Sequence, residues 1–147
     1  PHHGPQATLL EGIQGAEIGT VAYPAIGSAK HRTGSSCVAC HMAETTDGSD
    51  GLHSMIPNDN CTTVCHGDGQ NIPTEVGGLA ADMAVLATLL ETVGIVHDDH
   101  PVPGMYTVEE AQAAWNYLLV LEDASNGIHN PKYAKALIAG SIEILTN

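Results

Sequence analysis

The clearest alternation of hydrophobic and polar positions lies in the second half of the chain. Leu79 to Val93 is rich in Ala, Leu and Met, and Gly77-Gly78 and Gly94 bracket it. Asp82 and Glu91 fall near its ends. That pattern predicts a helix with one apolar face turned inward. Thr107-Val108-Glu109-Glu110 has the spacing of a capping box, with Thr107 as N-cap and Glu110 three places on. The helix it opens is expected to run to about Asp123. A third helix is expected from Pro131, whose fixed φ suits the first helical position, to about Leu145. Asn130 would cap it. The turn Ser125-Asn126-Gly127 then makes the last two helices a hairpin.

The first half gives weaker signals. Residues 1–36 are Gly-rich, with little periodicity and a break at Tyr23-Pro24. Residues 37–78 promise little regular structure: Thr45 to Gly51 is a polar loop, and Gly67-Asp68-Gly69 marks a turn. No strand signal stands out. The expectation is a single domain over 1–147, with a coil-rich part (1–78) and a helical part (79–147). Its fold class would be mainly α with much irregular coil.

Composition adds a question about the core. The 147 residues include no Phe, one Trp (Trp115) and four Tyr. Aromatic side chains normally supply the largest units of buried apolar area. The interior must therefore be filled by Ala, Leu, Ile and Val, or by something other than protein. Seventeen Asp and Glu face four Lys and Arg, a net charge of −13 with His neutral. Nucleic acid and anionic membrane surfaces both want basic patches, so neither is an expected partner. No stretch approaches the roughly 20 apolar residues of a membrane span. The chain opens at Pro1 and is read as a mature, secreted product, extracellular or periplasmic, whose signal peptide is inferred.

The chemistry is in the cysteines. All four lie between Cys37 and Cys65. Cys37-Val38-Ala39-Cys40-His41 is the Cys-x-x-Cys-His signature of c-type haem attachment. Two thiols must reach the two vinyl groups on one edge of the porphyrin, and the next residue must offer an imidazole to the iron. Cys61-Thr62-Thr63-Val64-Cys65-His66 repeats the arrangement with one extra residue between the thiols. Disulfides are a rival use of four cysteines, but no disulfide requires a His after each pair. A four-thiolate zinc site leaves His41 and His66 unexplained, and a thioredoxin-like pair lacks a βαβ setting. The reading is two covalently attached haems (haem c) on Cys37, Cys40, Cys61 and Cys65. His41 and His66 would be their proximal iron ligands.

Seven other His remain: His2, His3, His31, His53, His97, His100 and His129. Each iron needs a distal ligand. Met42, Met55, Met83 and Met105 are the alternative donors, but the abundance of His favours a bis-His arrangement. His97-Asp98-Asp99-His100 is a solvated loop or a surface metal cluster, and His31, between Lys30 and Arg32, reads as surface.

Several segments resemble the extracellular multihaem c-type cytochromes. Pro1-His2-His3-Gly4-Pro5-Gln6 and Ser36 to Met42 look like segments at and before their haem sites. Gly51-Leu52-His53-Ser54-Met55 is similar to their Gly-Gly-His-Thr-Phe stretch. Trp115-Asn116-Tyr117-Leu118-Leu119 and Gly127-Ile128-His129-Asn130-Pro131 resemble their final block, a helix, a turn with a His, and a last helix. The likeness runs in order along nearly the whole chain and is to a two-haem module of that group, which includes filament-forming cytochrome wires. Octahaem and pentahaem nitrogen-cycle enzymes share parts of the pattern. The chain departs from them in carrying two motifs where those relatives usually carry more. The resemblance implies His2, His53 and His129 as distal ligands, with His31 behind them. It also implies other copies of the chain as partners, with a His from one copy ligating a haem of the next.

These readings converge on electron transfer. Haems attached between Cys37 and His66 must lie near each other, because the linker is short. Bis-His ligation closes both axial positions of each iron. The expected function is that of a filament subunit passing electrons to other redox proteins or extracellular acceptors, or else of a soluble periplasmic shuttle. A small haem reductase is the enzymatic rival. It would need one open iron and nearby acid groups, and no such constellation is visible. A haem or metal binding module with no redox role would leave two close covalent haems unexplained.

Overall fold

A computed structural model of the chain describes residues 4–34, 36–41, 66–67 and 73–147. Six helices and one small hairpin appear among them: α1 (Gln6–Glu11), α2 (Lys30–Gly34), α3 (Ser36–His41), α4 (Leu79–Val93), β1 (Val96–His97), β2 (His100–Pro101), α5 (Val108–Asp123) and α6 (Pro131–Thr146). The chain is mainly helical with little strand, as the pattern predicted. None of the described helices is long and apolar enough to cross a membrane.

The three long helices begin and end where local chemistry directs. In α5 the Thr107 hydroxyl accepts from the Glu110 N–H, and the Glu110 carboxylate accepts from the Thr107 N–H at 2.7 Å. In α6 the Asn130 side chain accepts from the Tyr133 N–H, with Pro131 at the first helical position. At the end of α4 the Ile95 N–H reaches back to the Leu90 carbonyl, closing a Schellman turn.

α6 packs against both α4 and α5, and the core lies between the three. Leu86 and Leu90 from α4, Leu119 from α5, and Tyr133, Leu137 and Ile138 from α6 are fully buried. Ala113, Ala114 and Ala134 at the seams let the helix backbones approach closely. Tyr133 is the one aromatic ring among the largest fully buried side chains, so Leu, Ile and Ala fill this interior as the composition required.

The first half differs from expectation. α1 and α2 were not foreseen, and a third short helix carries the first Cys motif. Helices of 5 and 6 residues are too short to persist alone, so tertiary contacts hold them. Leu9 of α1 is fully buried, and Gln6 donates its amide to the Glu122 carbonyl at the end of α5 at 3.2 Å. Arg32 of α2 pairs with Glu11 of α1 at 2.7 Å. Between these helices the coil runs over α5 and α6 and borrows their side chains. The buried Asn116 amide accepts from the Ala16 N–H at 2.7 Å and donates to the Ala16 carbonyl at 2.9 Å. The Tyr133 hydroxyl accepts from the Gly15 N–H, and Glu143 takes both the N–H and the hydroxyl of Thr20.

The β1–β2 hairpin corrects the expectation of no strand. Val96 pairs with Pro101 and His97 with His100, and Asp98 and Asp99 turn the chain with φ of 48° and 61°. Two positive φ values in a two-residue loop make a type I′ turn, which Asn-Gly or Asp-Gly usually signals and Asp-Asp does not. The Tyr117 hydroxyl donates to the Asp99 carboxylate and fixes the hairpin on α5.

Gly140 lies where α6 meets the Ile18–Tyr23 coil. A Cβ there would press into the Ile18 carbonyl oxygen and lie 2.6 Å from the Tyr23 hydroxyl. Gly140→Ala raises helix propensity, yet it should destabilise the protein by about 1–3 kcal/mol through overpacking. Thermal unfolding followed by circular dichroism reads the sign, and a rise in Tm would refute the close approach.

Burial, and then the Asp99 carboxylate, hold the Tyr117 phenol well above its ordinary range, and burial pushes Tyr23 and Tyr133 up as well. A raised folded pKa contributes stability below the unfolded value and loses it as pH rises toward the folded value. The fold should therefore weaken above about pH 10. Tyr117→Phe should flatten that alkaline loss, at a neutral-pH cost of about 1 kcal/mol for the missing hydrogen bond. Urea midpoints measured for both proteins from neutral to alkaline pH give the comparison. Parallel curves would count against a raised Tyr117.

Candidate functional site

α3 is the Cys37–His41 motif folded as helix. Positions i, i+3 and i+4 share one helix face, so Cys37, Cys40 and His41 lie along one side of this single turn. Cys37 is exposed and Cys40 half-buried. Val38 points elsewhere and is 60% exposed.

Next to His41 is His129, from the loop that joins α5 to α6. The two ring centres lie 6.2 Å apart with their planes inclined by 55°. The loop holds His129 by two hydrogen bonds, to Asp123 and Ser125, which are themselves hydrogen-bonded to each other. Asp123, the last residue of α5, is 1% exposed, and its carboxylate accepts from His129 Nδ1 at 2.6 Å. Ser125 donates its hydroxyl to the other oxygen of Asp123 and accepts from the His129 N–H at 3.2 Å. Because a carboxylate accepts, the Nδ1 of a neutral His129 carries the hydrogen and the lone pair resides on Nε2.

The turn leading to His129 is itself fixed. Gly127 has φ +82°, and a Cβ there would lie 2.5 Å from the Leu79 side chain. Only glycine lets the loop lie so close to the start of α4. The Val76 N–H donates to the Asn126 carbonyl at 3.0 Å, and Asn126 donates its amide to the Thr74 carbonyl. Beside this turn an apolar hollow of about 220 Å³ is lined by Leu79, Met83, Val120, Leu121 and Asn126.

This arrangement fits a six-coordinate haem iron. Bonds of about 2.0 Å from a metal to two opposed imidazoles, with about 1.1 Å more to each ring centre, separate the centres by about 6 Å. Rings in simple edge contact span a similar range, so the spacing does not decide alone. The buried Asp123 is consistent with a ligating His, which usually gives its other N–H to a carboxylate or a carbonyl. Among the described residues no group of three or more His, Cys, Asp or Glu is placed to hold a metal ion. A haem iron needs only two protein ligands, because the porphyrin supplies the other four.

The remaining candidates fall in different places. His66 and Gly67 are described and exposed. Cys61, Cys65, His53 and His2 lie outside the described residues, as do Met42 and Met55. Met105 is fully exposed, and Met83 is partly buried against the core. His97 and His100 are exposed on the β1–β2 hairpin, and His97 lies 3.5 Å from the Asp98 carboxylate. His31 is not a simple surface residue. It is half-buried, and its Nδ1 lies 2.5 Å from the Ile128 carbonyl oxygen.

Sequence reasoning named His129 but missed Asp123, Ser125 and the Ile128 carbonyl that serve this site. One signal was available: Asp123 is an acidic residue at the C-terminal end of a helix, where the dipole disfavours it, six positions before a candidate ligand. Comparison with family models, curated proteins and solved structures finds no match.

Asp123→Ala removes the acceptor of both His129 and Ser125. The protein should lose about 1–3 kcal/mol, as for other buried groups left without a partner. Urea unfolding measures the loss. An unchanged midpoint would mean that the carboxylate does not organise the loop.

Proposed function

We propose that the chain is a dihaem c-type cytochrome that transfers electrons, with His41 and His129 as the axial pair of its first haem. The observation that carries this reading is the His41–His129 pair at 6.2 Å, with His129 Nδ1 bound to the buried Asp123. When bound, the haem supplies a one-electron iron couple whose potential is set by ligands, burial and hydrogen bonding. Cys37 and Cys40 hold it through thioethers, and His41 presents its imidazole from the same helical turn. His129 would supply the second protein ligand to its iron. Asp123 keeps hydrogen on Nδ1 and so makes Nε2 the donor atom.

Cys61, Cys65 and His66 hold the second haem on the same motif chemistry. With His41 and His129 both bound to it, the first iron would offer no site to a substrate, which favours an electron carrier over a reductase. Resemblance to the extracellular multihaem cytochromes and the surplus of His support the filament version. In it, copies of this chain are each other's partners outside the cell. A soluble periplasmic shuttle is the alternative, and the net charge of −13 would steer it to a basic redox partner.

Protein made in a host with the c-type maturation apparatus should carry two haems per chain by intact mass and pyridine haemochromogen absorbance. Its reduced spectrum should not shift under carbon monoxide. His129→Ala should keep both haems and let half of them bind carbon monoxide. A chain that leaves maturation without haem would end the proposal. Electron microscopy of the native protein separates the two versions: filaments with a one-subunit repeat support a wire, and dispersed particles at high concentration support a shuttle.

A further inference from the structure

The peptide that precedes His129 is fixed at both edges. Its N–H, which belongs to His129, donates to the Ser125 hydroxyl at 3.2 Å. Its carbonyl oxygen, which belongs to Ile128, lies 2.5 Å from His31 Nδ1. A carbonyl can only accept, so Nδ1 of His31 carries the hydrogen. The two bonds differ in origin. Ser125 belongs to the same loop as His129, whereas His31 comes from α2, 97 positions before Ile128.

α2 leads directly into the motif helix. It ends at Gly34, and α3 begins at Ser36 and carries Cys37, Cys40 and His41. α2 and the turn before it are anchored to the end of α1: Arg32 pairs with Glu11 at 2.7 Å, and the Gly27 N–H donates to the Glu11 carbonyl at 2.7 Å. A helix of five residues does not persist alone, so such contacts decide where α2 lies. The bond from His31 to Ile128 thus ties the segment that carries His41 to the loop that carries His129.

Resting on the dihaem reading above, we infer that His31 is a positioning residue of the first haem site: its Nδ1–H clamps the Ile128 carbonyl and sets where His129 stands relative to His41. Asp123 fixes the ring of His129, and Ser125 fixes its backbone from within the loop. His31 fixes the loop against the half of the chain that bears the Cys motif. In this role the ring acts through its N–H alone. Another side chain that offers an N–H at the same place should serve as well, which would not hold for an iron ligand.

The matured holoprotein is compared with His31→Ala and His31→Asn, haem content being measured first by pyridine haemochromogen. An Asn amide offers an N–H close to the place of Nδ1 and no nitrogen lone pair for an iron. His31→Ala should change the low-spin ferric electron paramagnetic resonance signal of one haem, which reports how its axial rings are set. It should also raise that haem's reduction potential, because a looser imidazole stabilises ferric iron less. Cyanide replaces a distal His only when that ring leaves the iron, so it should enter this haem roughly three to ten times faster, the factor that one hydrogen bond carries. His31→Asn should restore all three properties. Where His31→Ala fails to mature, a His31→Asn protein with the unaltered signal supports the clamp. Unmoved spectra and cyanide rates in His31→Ala overturn the inference. So does a change or a failure that His31→Asn shares, which would make the imidazole itself the requirement. A chain carrying no haem overturns the dihaem reading first, and this inference falls with it.

Discussion

A carboxylate buried at the end of a helix is costly unless donors surround it, and Asp123 is surrounded. It receives hydrogen bonds from His129 and Ser125, and its own backbone carbonyl lies 3.4 Å from the Gln6 amide of α1. From that one group the geometry follows outward. Ser125 in turn holds the backbone of His129, Gly127 seats the loop on α4, and Ile128 holds His31. The α5–α6 connection is thus a compact polar centre beside a helical core that is mostly Leu, Ile and Ala.

The helical half supports that centre with rigid geometry. α4, α5 and α6 bury their apolar faces against one another, and their ends are fixed by caps. The coil of the first half contributes little core of its own. It is held to α5 and α6 by Asn116, Tyr133 and Glu143, each of which binds backbone that no strand or helix would otherwise pair. The motif-bearing helix α3 reaches the site through this borrowed scaffold.

What the sequence made legible divides along the same line. Strong local signals placed the long helices almost to the residue: paired glycines around α4, a capping box at Thr107, and Asn130-Pro131 before α6. The Cys37–His41 spacing and the His129 loop were legible because their chemistry is local or resembles a known pattern. The short helices were not, since their stability comes from contacts far along the chain, such as Gln6 with Glu122. Nor was the hairpin, whose Asp98-Asp99 turn is an unusual pair held from outside by Tyr117. His31 looked like surface because its neighbours in sequence are charged. Its true neighbour, Ile128, is nearly a hundred positions away.

The neighbouring rings of His41 and His129 also matter for the topology of the chain. They come from segments roughly ninety residues apart, and a crosslink closing a loop of that size removes unfolded-state entropy worth about 4–5 kcal/mol in the chain-entropy model. A metal held by both rings and tethered to Cys37 and Cys40 would be such a crosslink. It would play the part that disulfides play in small secreted domains, leaving the cysteines to anchor the group rather than to pair. Such a crosslink would fasten the Cys37–His41 segment to the loop between α5 and α6.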